Sequence, residues 1–341
     1  MRDIIITDVT LRDGGYRNNF NFTLEFAVET TRRLARAGIP YVEIGYRKGS
    51  FVRKSEHGLT SSVDADYIDA LVEAAAGKTR LCAMVHPRNV DEADLAMLAD
   101  RGIEMVRVCL RRDQMDKGVE TLALAKRHGL QVSANVTHVT TMPLDDIADM
   151  SVRAEDAGAD LIVFADSNGN MIPSDVKRLI SQLAGRIAVP MGFHAHNNLS
   201  LALSNALAAA EAGARYIDAS LCGMGKGAGN LHLGMIVAYL DRLDRPNRYD
   251  LLEVLELSSF AAHHVSESSL PAPLIDIMLG AYNISFDVKQ KLAATLDDHT
   301  EVGWFRTLRR VRDERQAGGV EVTRQHAAPG RRASETRVGA A

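Results

Sequence analysis

The sequence predicts an α/β protein folded as a closed (β/α)8 barrel with a helical extension at its C-terminal end. Three observations carry that expectation. Short apolar, β-rich runs alternate with helical patterns from the first residues onward, and strict strand-then-helix alternation implies parallel strands joined by right-handed crossovers. Ala37-Gly38, Arg101-Gly102, Ala157-Gly158 and Ala212-Gly213 each end a helical stretch just before a strand, at intervals of about two β/α units. Glycine there takes the left-handed conformation that closes a helix. No G-x-G-x-x-G follows the first strand, which argues against an open dinucleotide-binding sheet.

Taken in order, the predicted strands are Ile4–Val9, Tyr41–Ile44, Arg80–Val85, Met105–Leu110, Gln131–Val136, Leu161–Ala165, Ala188–Phe193 and Tyr216–Ser220. Between them lie helical patterns over Leu24–Ala37, Val90–Asp100, Met115–Arg127, Pro143–Ala157, Ser174–Ala184 and Leu199–Ala212. The barrel should close near Gly234–Leu243, giving a catalytic domain over 1–245. A helical extension over 246–303 then includes Leu251–His264 and Phe286–Leu296. The segment 304–341 is Arg-rich, with nine arginines and four acids from Arg306 onward. Such a composition predicts a disordered tail.

At 341 residues, with 46% hydrophobic and 25% charged residues, the chain has the make-up of an ordinary soluble globular protein. A net charge of −4 offers no general attraction to nucleic acid or anionic membrane. No apolar run approaches a membrane span, and Met1-Arg2-Asp3-Ile4 does not open a signal peptide. Cys82, Cys109 and Cys222 read as reduced thiols, so a cytoplasmic location is expected. Cys222, beside a glycine-rich motif, is a further catalytic candidate.

Active sites of such barrels form at the C-terminal ends of the strands. Polar residues gather there: Asp13 after the first strand, Glu43 at the second, and His86 after the third. Asn135 and His138 follow at the fifth, Asp166 and Ser167 at the sixth, and His194-Ala195-His196 at the seventh. Asp91, Asp175 and Asn198 read instead as helix caps. Histidines two apart on a strand face the same side, and two imidazoles with a carboxylate suit a divalent ion with open positions. Asp13 is the best acid for that set, with Asn230 a further oxygen donor. Mn2+ or Mg2+ tolerates water and substrate oxygens in the remaining positions.

Three ordered motifs, Thr10-Leu11-Arg12-Asp13-Gly14, His194-Ala195-His196-Asn197 and Gly223-Met224-Gly225-Lys226-Gly227-Ala228-Gly229-Asn230, resemble the signatures of the DRE-TIM metallolyase superfamily. Its members share a TIM barrel and include 4-hydroxy-2-oxovalerate aldolase, HMG-CoA lyase and isopropylmalate and homocitrate synthases. The stretch Phe193–Leu201 with Ile217-Asp218-Ala219-Ser220 is most similar to the hydroxy-oxo-acid aldolases. The resemblance implies Asp13, His194, His196 and Asn230 as metal ligands, and Arg12 as the group that stabilises a developing enolate. It also implies a tyrosine from the C-terminal helices, for which Tyr282 is the match. Where those aldolases carry a histidine base, this chain has Tyr16, so Tyr16, His86 and His138 are the candidate bases. Glu43, His86, Asn135, Asp166 and Ser167, with Arg12, are the expected substrate contacts.

The implied function is metal-dependent cleavage of a 4-hydroxy-2-oxo acid to pyruvate and an aldehyde, or the reverse condensation, through a pyruvate enolate. A Claisen-type condensation of acetyl-CoA with a 2-oxo acid is the alternative, and a binding or scaffold protein a third reading. Partners implied are the small 2-oxo acid and aldehyde, an aldehyde dehydrogenase that takes the product, and further copies of the chain in a homo-oligomer.

Overall fold

The computed structural model describes residues 4–50, 55–243, 248–265, 274–297 and 299–317. Eight parallel strands close into a barrel in chain order, each paired with the next and the last with the first. They are β1 (Ile5–Asp8), β2 (Tyr41–Arg47), β3 (Arg80–Val85), β4 (Met105–Leu110), β5 (Gln131–Val136), β6 (Leu161–Asp166), β7 (Met191–Ala195) and β8 (Tyr216–Ala219). Around them run α1 (Leu24–Arg36), α2 (Ala65–Ala75), α3 (Glu92–Asp100), α4 (Met115–Arg127), α5 (Leu144–Asp156), α6 (Pro173–Leu183), α7 (Ala202–Glu211) and α8 (Leu233–Arg242). The predicted barrel is therefore correct. Gly38, Gly102, Gly158 and Gly213 all have positive φ, as the helix-ending phrase requires.

The main core lies between strands and helices, where outward residues such as Val42, Ile44, Val106, Val108, Ile162 and Phe164 pack against the helix faces. Inside the barrel, the end remote from the strand C-termini is plugged by Tyr41, Cys82, Met105, Leu161 and Val163. The opposite end stays open to ligands.

Two strand predictions need correction, and both bear on the site. β7 begins at Met191, because Pro190 has no N–H to give to the ladder, so His194 lies inside the strand. β2 does not stop at Ile44. It continues to Arg47 through a register shift between Glu43 and Tyr46, a bulge that leaves one residue unpaired. Gly45 occupies it with φ 147°, and a Cβ there would stand 2.1 Å from the Thr60 carbonyl oxygen. The extra residue reverses the inside–outside alternation, so Tyr46 enters the barrel mouth and Arg47 turns outward to Asp64 and Asp94.

Beyond the barrel lie α9 (Leu251–His264), α10 (Leu274–Ala281), α11 (Phe286–Ala293) and α12 (Glu301–Ala317). The last corrects the expectation of disorder from residue 304: residues 304–317 are helical, and 318–341 lie outside the described residues. Trp304, Leu308 and Val311 recur at helical spacing and pack on Leu279 and Ile284, an apolar stripe that the charge-rich composition hid. Among the helix caps, Asp91 forms the expected capping box with Asp94. Asp175 lies at the third position of α6 and accepts from the Ile172 N–H. Asn198 is no cap: Asn197 accepts from Ala202 N, while Asn198 donates to the Asp276 carbonyl.

Candidate metal centre and active site

The strand ends open into a cavity of about 100 Å³ lined by side chains from β1 round to β7, from the loop after β8, and from α11. On its floor, one carboxylate oxygen of Asp13 and one ring nitrogen each of His194 and His196 all lie within 4.8 Å of one another. Both Nε2 atoms stand 4.0 Å from Asp13 Oδ2. The other ring nitrogens are occupied. His194 Nδ1 donates to Asp218 at 2.9 Å, and His196 Nδ1 donates to the Gly229 carbonyl at 3.2 Å. Those bonds leave each Nε2 lone pair facing Asp13, the tautomer a metal ligand needs.

Asn230 sits on the same carboxylate, its Nδ2 donating to Asp13 Oδ2 at 2.9 Å and to the Met224 carbonyl at 3.1 Å. Its Oδ1 is buried without a hydrogen-bond partner. A buried acceptor left in that state needs an explanation, and a cation beside Asp13 supplies one. The residues fit a divalent ion. Gly225 permits the arrangement, since a Cβ there would stand 2.5 Å from the Asn230 carboxamide.

Under this floor the charges close into a ring. Arg12 binds Asp13 at 2.5 Å and Glu43 at 2.7 Å; Arg107 binds Glu43 at 2.9 Å and Asp218 at 2.6 Å; Asp218 holds His194. All of these side chains are buried, and Arg107 is among the largest fully buried ones. Burial alone would push the carboxyls up, yet Arg107 and His194 bring Asp218 down to about 2. Arg12, His196 and His194 hold Asp13 well below the usual carboxylate range. Both are carboxylates at neutral pH. Burial pushes His196 down to about 4, keeping it neutral.

The cavity walls carry His86, Asn135, His138 and Ser167, as the sequence suggested, with Arg12 and Tyr16. His86 stacks on Tyr46, and the Tyr16 and Tyr46 hydroxyls lie 3.2 Å apart. Ser167 Oγ accepts from the His138 backbone N–H at 2.9 Å. Desolvation lowers both His86 and His138 to about 4, whereas it raises Tyr16.

Glu43, Asp166 and Tyr282, expected as substrate contacts or catalytic residues, do not line the cavity. Glu43 is buried beneath Arg12 as its anchor. Asp166 turns away and accepts the backbone N–H groups of Asn170 and Met171, fixing the loop after β6; burial raises it to about 6. Tyr282 packs in the extension's own cluster, under the Arg312 guanidinium. Cys222 is also outside, its thiol donating to the Ser258 carbonyl. The extension contributes Phe286 and Asp287 instead. Sequence reasoning assigned no role to Tyr46, Lys226, Arg107 or Arg111. Arg107, a lone cation inside an apolar strand, was the clearest missed signal.

A family model described as HMGL-like matches residues 3–261. This chain belongs to the HMGL-like family. It is 32% identical over 272 residues to a 4-hydroxy-2-oxovalerate aldolase of Geobacillus stearothermophilus, covering 80% of this chain and 78% of that one. A 4-hydroxy-2-oxovalerate aldolase of Moorella thermoacetica is 34% identical over 75% of this chain and 76% of its own length. Among solved structures, the HMG-CoA lyase of Bacillus subtilis superposes with a TM-score of 0.68 at 18% identity, over 82% of this chain and 98% of that one; that likeness shows the fold alone. By its curated relatives the family member described here is an enzyme, a carbon–carbon lyase. No described helix is long and apolar enough to cross a membrane.

Proposed function

We propose that this lyase is an aldolase that cleaves a 4-hydroxy-2-oxo acid to pyruvate and an aldehyde, or runs the reverse condensation. The convergence of Asp13, His194 and His196 beside Arg12 carries the reading, and the relatives named as 4-hydroxy-2-oxovalerate aldolases support it. Those three residues would hold Mn2+ or Mg2+, with Asn230 Oδ1 as a further donor. Bound there, the ion supplies Lewis acidity toward the oxygens of a 2-oxo acid.

Arg12, clamped by Glu43 and Asp13, offers fixed positive charge where the enolate oxygen develops. The C4 hydroxyl must lose a proton as the C3–C4 bond breaks, with that bond's electron pair passing into the enolate. His138 takes this proton and returns one to C3 to complete pyruvate. Its imidazole is neutral at pH 7; Lys226 and Arg111 oppose its charged form, and Asp287 and Asp113 favour it. Arg111, Arg12 and Lys226 all disfavour the charged form of His86. Tyr16 keeps its proton, since burial raises its pKa.

The test is pyruvate release from a panel of 4-hydroxy-2-oxo acids, with Mn2+ and again with EDTA. Release that stops on chelation is the expected result; release indifferent to EDTA would overturn the reading. No observation among the described residues favours the Claisen alternative, and consumption of acetyl-CoA with a 2-oxo acid would reverse the choice.

A further inference from the structure

We infer that the aldehyde half of the substrate carries a neutral hydroxyl beside its reacting carbon, received by the paired phenols of Tyr16 and Tyr46. The inference rests on the aldolase reading and names its substrate class, a hydroxyaldehyde in place of a plain alkyl aldehyde.

The wall that holds these phenols is built on strained backbone. Tyr46 reaches the mouth because Gly45 takes the bulge at φ 147°. Phe20 supports both rings edge-on, its centroid 5.0 Å from that of Tyr16 and 5.8 Å from that of Tyr46. It does so from a left-handed backbone, φ 61°, next to Asn19 at φ 53°. Gly15 makes room for it, since a Cβ there would stand 2.2 Å from the Phe20 ring. Strain of this kind gathers at ligand-binding sites, where the surrounding structure holds it in place. Phe20, Tyr46, Met84 and Cys109 pack with Tyr16 as a cluster apart from the main core, and all but Phe20 line the cavity.

The proton count on this wall leaves one donor over. The two hydroxyls stand 3.2 Å apart, so one donates to the other. Each carries a single proton, and burial raises both phenols, so both keep it at neutral pH. The second O–H has no acceptor among the described residues. The cations of the cavity are already paired, Arg12 with Asp13 and Glu43, Lys226 with Asp287 and Arg111 with Asp113. The wall therefore offers a neutral donor, and a neutral oxygen is its match. In the eight-stranded ring β1 faces β5. His138, which takes the C4 hydroxyl proton, follows β5, and Tyr16 follows β1. With the C4 oxygen turned to His138, the carbon substituent at C4 turns to the tyrosines. A hydroxymethyl group there rests its CH2 on Met84 and Cys109 and presents its oxygen to the phenol.

Two isosteric aldehydes test this in condensation with pyruvate and Mn2+: glycolaldehyde, which bears the hydroxyl, and propanal, which bears a methyl in its place. The wild-type enzyme should favour glycolaldehyde by about tenfold or more in kcat/KM, the size of one well-placed neutral hydrogen bond. Tyr16→Phe and Tyr46→Phe combined in one chain remove both hydroxyls and keep both rings, and should drive that ratio toward one. A wild-type ratio near one or below overturns the inference. So does a ratio that the double variant leaves unmoved while both rates fall, because phenols acting on the C4 oxygen, or only holding the wall, would slow both aldehydes alike. The wild-type ratio decides even where the variant fails to fold. Adduct from neither aldehyde also overturns the inference; joined to no pyruvate from the cleavage panel, it overturns the aldolase reading as well.

Discussion

In the floor of the cavity, Arg107 grips two carboxylates, and each of those grips a residue of the site, Arg12 through Glu43 and His194 through Asp218. In the roof, Lys226, Asp287, Phe286 and Asn283 come from a loop and the C-terminal extension, and they are fastened by separate polar contacts. Asn283 holds Thr140, Asn170 holds the Gly280 carbonyl, Asn198 holds the Asp276 carbonyl, and Lys226 holds Asp287. The floor is one closed, buried circuit on rigid strands. The roof is a set of independent ties, several part-exposed. The first suits the fixed geometry that the proposed metal site needs, and the second leaves room for adjustment.

Breaking the circuit should have the largest effect. Arg107→Met breaks two buried ion pairs at once, leaving Glu43 with Arg12 alone and Asp218 with His194 alone, a loss of about 3–5 kcal/mol. Thermal unfolding and metal titration should both show it; an unchanged melting temperature would mean the circuit does not hold the floor. Next comes Arg12→Ala, which removes charge where the reaction develops its own and takes a partner from Asp13 and Glu43. It should lose two to three decades of kcat, about 3–4 kcal/mol of barrier, and steady-state kinetics on a properly folded variant would measure that.

Asp8, on β1, is an exception, a fully buried carboxyl whose two oxygens accept from Thr10 alone among the described residues. Burial pushes it up to about 7. In the unfolded chain it ionises near its ordinary value, so the folded state binds the extra proton between the two. Stability from this group is full below pH 4 and lost as pH rises through 7. Asp8→Asn should therefore stabilise the protein by a few kcal/mol at pH 8 and by much less at pH 5. Denaturant melts at the two pH values would show it, and an equal effect at both would refute the assignment. The smallest change is expected in the roof: Asn283→Ala should cost about 1 kcal/mol or less, yet raise KM more than it lowers kcat.

The same division governs what the sequence made legible. β3, β4, β5 and α4 matched their predicted bounds, because apolar runs with clear flanks fix their own ends. Asp13, His194 and His196 were readable because a strand's alternation places a pair two apart on one face. Tyr46 was hidden, since a single bulge at Gly45 reverses that alternation, and no periodicity announces a bulge. Arg107 stood in plain view as a cation in an apolar strand, but its partners lie 64 and 111 residues away. The roof was the least readable part. Which residue of the extension reaches the cavity depends on how α10 and α11 settle on the loops, so Tyr282 was expected where Phe286 and Asp287 stand.

The bulge in β2 has one more consequence. With Gly45 in place, the strand's two faces trade partners partway along, much as a frameshift changes a message downstream. Were Gly45 drawn into a regular ladder opposite Met84 instead of bulging, Tyr46 would turn outward and Arg47 would enter the mouth. A third guanidinium would then crowd the place where the reacting carbonyl belongs, without any catalytic residue having been altered.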